Sequence, residues 1–470
     1  MVDQLRFDCL GANGNRLIRT PNLDRLAQRS ANFELAFVQS PVCVPSRASY
    51  FTARYPHSHK NRVNYTPLDA SERLGQQDFH DAGYRTGVVG KLHYYPPTAK
   101  HARSLGWDEV LLDDGVGATD AYSDYVAWRK KNDPKAKSPY HATAGLPGKN
   151  PFRAVIDYEY TPTAWTGVET RRMLREFASG GKPFFLYSSF FKPHSPHTVP
   201  APYDSMYDGV DIPLPRKMTL QDIEKLPLPV QKQILRGKPQ YDMDRVRLEW
   251  SYRSYYGGVS MIDHEVGLIL DELEKSGQAA NTIIVFTTDH GDQLLEHGLE
   301  GKNVFFEASV RVPFLLSFPG RIQAGKRKEF AEMVDVMPTL FELCGIPVPT
   351  AMQGRSLLNG KPREFVFSEN VIPEVINSGS LDMPYERGKG VGGILHPDAK
   401  MIRTTRWKYN HYPGHGGELY DLTNDPNEER NLYTSASHQG TVREMKDRLL
   451  DFLIIADEAD QIAPHWLVTR

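Results

Sequence analysis

The chain has 470 residues, 40% hydrophobic and 24% charged, a balance that suits a folded globular protein and excludes a disordered one. Its 56 Lys and Arg face 58 Asp and Glu, which argues against gripping nucleic acid by bulk positive charge. Three scattered cysteines (Cys9, Cys43, Cys344) make neither a disulfide framework nor a CxxC metal site, and no apolar run approaches the roughly 20 residues needed to span a bilayer.

The chain opens Met1-Val2-Asp3-Gln4, with no basic-then-apolar leader. Residues 20–27 read as a helix, with a Thr cap and Pro in the first turn. A second helix is expected over 71–82 and a short strand over 85–90. Residues 113–160 carry Gly, Asp and Pro clusters and read as a surface excursion. A third helix spans 163–177, again opening on Thr-Pro. Residues 183–191 form a continuous apolar run, the pattern of a strand buried on both faces. Residues 192–245 are Pro-rich and polar, a second long excursion. A long helix covers 247–276 and ends at Gly277. Strands follow at 282–288 and 313–318, and a helix at 334–343. Buried strands alternating with helices predict an α/β sheet with helices on both faces. Beyond about residue 360 the texture changes to short strands near 365–367, 400–403 and 407–409 and a closing helix over 442–455. This predicts two units, 1–360 and a smaller α+β unit over 361–470. Cys9 and Cys344 read as packing residues.

Chemistry-bearing residues gather after the expected strands. Cys43-Val-Pro-Ser-Arg47 alone reads equally well as a buried thiol in a turn. Asp289-His290-Gly291-Asp292 follows the strand at 282–288. An Asp-His pair there can offer a carboxylate oxygen and an imidazole to a metal, although Asp289 can also simply cap a turn. Lys91 and His93 follow the strand at 85–90, and alternate so that an extended segment points both to one side. His194 and His197 follow the run at 183–191, and Lys302 lies shortly after the Asp-His turn. Each is weak alone. In an open α/β sheet, however, ligands bind at the carboxyl ends of the strands, so these groups should share one edge. Positive charge around a metal suits a tetrahedral oxyanion, such as a sulfate or phosphate ester.

These residues resemble the type I sulfatases of the alkaline phosphatase superfamily over nearly the whole chain. The resemblance rests on Cys43-Val-Pro-Ser-Arg47, Gly90-Lys-Leu-His93, Asp289-His-Gly291, Glu296-His-Gly298, Lys302, Val310-Arg-Val-Pro313 and Glu418-Leu-Tyr-Asp421. The Asp-Gln and Asp-His pairs are nearest in style to the choline-sulfatase and phosphonate-monoester-hydrolase branches. The resemblance implies a central, mostly parallel sheet and a C-terminal subdomain with a short antiparallel sheet. It implies that a formylglycine-generating enzyme oxidises Cys43 to formylglycine, whose hydrate is the nucleophile. One hydroxyl attacks sulfur, and the other then loses a proton so that sulfate is expelled, a step an unmodified Ser or Cys cannot perform. Asp3, Gln4, Asp289 and His290 are the implied metal ligands. Calcium suits the oxygen donors, and His290 leaves manganese open. Arg47 is expected to hold the hydrate, Lys91 and His194 to bind sulfate oxygens, His93 to act as base and Lys302 to serve the leaving oxygen.

The expected activity is therefore sulfuric ester hydrolysis. A phosphonate monoester or phosphodiester hydrolase using the same pocket is the alternative, and a non-catalytic binder of sulfated glycans a more distant one. Tyr94, His197 and His396 are candidate substrate contacts. Gly388-Lys-Gly-Val-Gly-Gly393 lacks the GxxxxGK[ST] pattern of a nucleotide loop. The resemblance also implies an apolar core strand before Asp3, where only Met1 and Val2 stand, so further N-terminal residues are expected in the natural protein. The identity of the alcohol leaving group and the oligomeric state are not legible.

Overall fold

The structure is a computed structural model that describes the chain except residues 65, 116–118, 120, 134–149, 237–244, 359, 372–397 and 462–470. His396 and the Gly388–393 stretch lie outside the described residues.

Eight strands make the central sheet: β1 Val2–Asp3, β2 Ala31–Phe37, β3 Arg85–Gly90, β4 Glu109–Leu112, β5 Phe184–Pro193, β6 Ile284–Thr287, β7 Phe314–Ser317 and β8 Gly325–Glu332. They form two four-stranded ladders, β4-β3-β5-β1 and β6-β7-β2-β8. A parallel bridge between Val2 and Thr288 joins them. All neighbours are parallel except around β7, which runs against both β6 and β2. The carboxyl ends of β1, β3, β5 and β6 therefore lie side by side along one edge.

The apolar run at β5 has the reason expected of it. Phe184 and Leu186 pack with Val89, Trp165, Met173 and Phe177 on one face. Phe185 and Tyr187 pack with Val88, Phe79 and Trp107 on the other. Side chains alternate across a strand, so a strand covered on both faces is apolar at every position. The helix Pro162–Ser179 covers the first face, and the long helix Arg245–Lys275 packs on it and on β5. Helix Gly75–Asp81 packs on β3, and helices Cys43–Thr52 and Val336–Cys344 pack together nearby. Cys9 and Cys344 pack among apolar side chains, as expected. On the amino side of β1, the facing edges of β5 and β6 flank an apolar cavity of about 740 Å³, lined by Leu186, Phe190, Ile284 and Phe286 among others.

Three strands of this sheet escaped the sequence reading. β8 opens on exposed Gly-Lys-Arg-Lys, the charged protection of a sheet edge. β2 mixes polar with apolar residues, and β4 is short and does the same. The excursions at 113–160 and 192–245 hold short helices, Asp124–Asn132, Leu220–Glu224 and Leu228–Arg236. Among the described residues, no helix is long and apolar enough to cross a membrane.

A second sheet, antiparallel throughout, is formed by β9 Val366–Val371, β10 Asp398–Arg403, β11 Trp407–Tyr412 and β12 Gly416–Asp421. The closing helix Gln439–Gln461 packs on it through Val442, Met445 and Leu449. This sheet grips the central unit through Lys408, a fully buried ammonium. Lys408 Nζ lies 2.8 Å from Glu307 Oε1 and 2.7 Å from Glu428 Oε1, and donates to the Phe305 carbonyl at 2.8 Å. Removing one partner of a buried ion pair leaves the other charge uncompensated. Lys408→Met is expected to lower the unfolding free energy by about 3–5 kcal/mol, measured by chemical denaturation. Arg406→Ala, which removes an exposed guanidinium from the rim of the sheet beside Asp421, should change it less.

Candidate active site

Cys43 is the first residue of the helix Cys43–Thr52, delivered there by the turn that follows β2. The amino end of a helix carries partial positive charge and favours an anion. Residue 43 is buried, and its Sγ lies 3.1 Å from His290 Nε2 and 3.1 Å from Lys302 Nζ. Burial works against a thiolate here. Lys302, Lys91 and His290 outweigh it and hold the Cys43 pKa well below the ordinary thiol value.

One turn along the same helix, Arg47 is fully buried. Its Nε donates to Asp289 Oδ2 at 2.8 Å. One terminal nitrogen donates to the Lys91 carbonyl at 2.7 Å, to Ser189 Oγ at 3.1 Å and to the Tyr187 hydroxyl at 3.2 Å. The other stands 3.6 Å from Asp3 Oδ2. Arg47 therefore ties the ends of β1, β3, β5 and β6 to the helix that carries Cys43. Lys91 Nζ pairs with Asp3 Oδ2. Burial favours the neutral forms of both. The pairing prevails, so the Asp3 pKa falls and the Lys91 pKa rises.

Lys302 reaches in from the loop after the Asp-His turn. Its ammonium donates to Gln4 Oε1 at 2.6 Å and lies 3.0 Å from His194 Nε2. Burial, reinforced by Lys302, pushes the His194 pKa down, which leaves a neutral imidazole able to accept that proton.

The donor atoms of Asp3, Cys43, Asp289 and His290 all lie within 4.8 Å of one another. Asp3 Oδ1 is buried and accepts no hydrogen bond. His290 Nδ1 lies 2.9 Å from the Gly291 carbonyl, which can only accept, so Nδ1 carries a proton and Nε2 faces Cys43. Gln4 holds a left-handed backbone, φ 66°, that turns its side chain back toward this pocket, and its N–H donates to Asp289 Oδ1 at 3.1 Å. Two carboxylates, an amide oxygen and an imidazole nitrogen form a donor set that a divalent cation can occupy.

Of the residues singled out from sequence, nine converge here: Asp3, Gln4, Cys43, Arg47, Lys91, His194, Asp289, His290 and Lys302. His93 follows Lys91 at φ 60°, and its backbone N–H donates to Asp114 Oδ1 at 2.9 Å. Tyr94 instead turns into the aromatic core, its ring 5.8 Å from that of Phe51. His197 is buried against the Tyr255 ring, with Nδ1 3.1 Å from the Pro193 carbonyl. Both lie in packed surroundings. Tyr187 and Ser189 were missed as Arg47 partners. Their spacing of two along an apolar run, placing both on one face, is the signal that could have found them.

The Sulfatase family profile matches residues 1–346. The chain belongs to the sulfatase family. It is 31% identical to an arylsulfatase of Clostridium perfringens, over 96% of this chain and 92% of that protein. It is 28% identical to a choline-sulfatase of Rhizobium meliloti, over 99% and 86%. Its fold matches that of a phosphonate monoester hydrolase from Silicibacter pomeroyi with a TM-score of 0.83 at 23% identity, covering 97% and 94% of the two chains. This sulfatase is an enzyme of the alkaline phosphatase superfamily that hydrolyses sulfate esters.

Arg47 cannot be replaced by the other long cation, because a single ammonium cannot span Asp289, the Lys91 carbonyl and β5 together. Arg47→Lys is expected to reduce kcat/KM for a sulfate ester by about 10–100-fold, the usual cost of losing a group that orients the carboxylates of a candidate metal pocket. Steady-state kinetics beside a thermal melt check this.

Proposed function

We propose that this sulfatase works through Cys43 matured to formylglycine, with a divalent cation, calcium, held by Asp3, Gln4, Asp289 and His290. The observation that carries the reading is residue 43 itself. It sits at a helix amino end, against Lys302 on one side and His290 on the other, beside two buried carboxylates. The hydrate of formylglycine supplies one hydroxyl to attack sulfur and a second whose deprotonation releases sulfate, while the cation supplies charge to the sulfate oxygens.

The chain's own groups then divide the work. Arg47 fixes Asp3 and Asp289 and cannot itself titrate away. Lys91 and His194 receive sulfate oxygens. Lys302, 3.1 Å from residue 43, stands where the alcohol leaves and can give its proton to that oxygen. His93, carried on the turn that Asp114 anchors, takes the proton from the second hydroxyl. Three oxygen donors favour a hard cation such as calcium, and the imidazole keeps manganese as the alternative. Small-molecule and carbohydrate sulfate esters both fit this reading. We assign residues 1–360 to the catalytic unit and 361–470 to a supporting α+β unit.

Co-production with a formylglycine-generating enzyme should replace the Cys43 thiol by an aldehyde in the tryptic peptide 30–47, read by mass. Cys43→Ala should then abolish turnover with the fold intact. An unmodified thiol under those conditions removes the nucleophile from this reading. The phosphonate reading draws support from fold likeness and from the Asp-Gln and Asp-His pairs, and comparing an aryl sulfate with an aryl phosphonate monoester on the matured enzyme decides between them; we expect the sulfate to be the faster substrate. Calcium added to chelator-stripped protein at about 100 times Kd should stabilise it by about 2.7 kcal/mol, and Asp289→Asn should erase most of that gain.

A further inference from the structure

Gln4 stands between two groups that can each meet only one end of its amide. Its Nε2 donates to Asp292 Oδ2. Its Oε1 accepts from Lys302 Nζ at 2.6 Å. An ionised carboxylate only accepts hydrogen bonds and an ammonium only donates them, so the amide has a single way round.

Asp292 is held firmly enough to impose that choice. It is fully buried, and its Oδ1 accepts from the backbone N–H groups of Leu294 at 2.6 Å and Gly301 at 3.1 Å. The Arg6 guanidinium donates to its backbone carbonyl at 3.2 Å. Both carboxylate oxygens are thus engaged away from Cys43. Gly301 directly precedes Lys302, so the same carboxylate anchors both the amide and the loop that brings the ammonium to it.

We propose that Asp292 is a positioning residue that fixes the Gln4 amide with its oxygen, not its nitrogen, toward the cation pocket and Lys302. The proposal rests on the reading that Gln4 helps to hold a divalent cation. The two orientations of an amide have nearly the same shape, so packing alone does not choose between them. Their dipoles are opposite. With Nε2 turned inward, a cation would meet N–H groups in place of a lone pair, and Lys302 would meet a second donor. A carboxylate at 292 forbids that state, whereas an amide at 292 permits it. In Asp292→Asn the N–H groups of Leu294 and Gly301 keep the remaining oxygen, so the new NH2 faces Gln4 and forces it to turn over. Glu at position 4 offers an oxygen to both sides and removes the conflict.

The test uses the full chain, stripped of metal, as the parent, D292N, Q4E and D292N/Q4E. In a metal-free crystal structure of D292N, Lys302 Nζ should leave residue 4 and pass beyond hydrogen-bond distance. Calorimetric titration with calcium should show D292N binding about 10–100-fold more weakly than the parent. Q4E alone, which sets two carboxylates face to face, should also bind poorly or fold poorly, and D292N/Q4E should recover most of the lost affinity. A general loss of packing would not be rescued by that second change. Lys302 remaining on Gln4 in D292N, or a double variant binding no better than D292N, overturns the proposal. A parent that binds no calcium, while Lys302 still departs in D292N, overturns the cation reading and leaves the orienting role of Asp292 standing.

Discussion

One buried guanidinium organises this molecule. Arg47 has no access to water and cannot shed its proton, so folding must surround it with acceptors. The acceptors come from four neighbouring strands: Asp3 from β1, the Lys91 carbonyl after β3, Tyr187 and Ser189 on β5, and Asp289 after β6. Burying such a charge contributes little net stability. What it supplies is geometry. Asp3 and Asp289 are held in one relative position, and the helix that begins at Cys43 is held to both.

The parallel sheet makes that arrangement possible. Parallel strands end together, and each return crossover is spent covering a face, so one edge is left for loops of free composition. Along this edge stand three cations, Arg47, Lys91 and Lys302, and two carboxylates, Asp3 and Asp289. Such a cluster of cations suits an anionic ester. The same crowding lowers the Cys43 and His194 pKa values in opposite chemical senses. The thiol is drawn toward its anion, and the imidazole is kept uncharged.

Much of the edge could be read from sequence because its residues are local. Cys43 and Arg47 share one helical turn, Asp289 and His290 are adjacent, and Lys91 directly follows the short strand read at 85–90. Strands β5, β6 and β7 announced themselves through largely apolar runs, and β3 through its Val-Val pair. β8 did not, because a sheet edge is shielded by charge. Long-range partners were equally silent. Asp292 was visible as part of the Asp-His-Gly-Asp turn, yet nothing local says that it meets Gln4, 288 residues away. Tyr94 and His197 illustrate the same silence: sequence placed them beside the site, and only the structure shows how deeply both are buried.

The Lys408 cluster bears on how this chain could be recombined with its relatives. Glu307 lies five residues after Lys302, and the loop between them also meets the antiparallel sheet where Asn370 Nδ2 donates to the Asn303 carbonyl at 2.9 Å. The segment that carries Lys302 to Cys43 is therefore seated on β9 and β11. A chimera that joined the first 360 residues to the terminal region of another family member would inherit an acidic socket at Glu307 and Glu428 positions drawn from different parents. Grafts should therefore exchange the 302–307 loop together with the terminal sheet, and the natural unit of exchange is a patch of surface, not a stretch of chain.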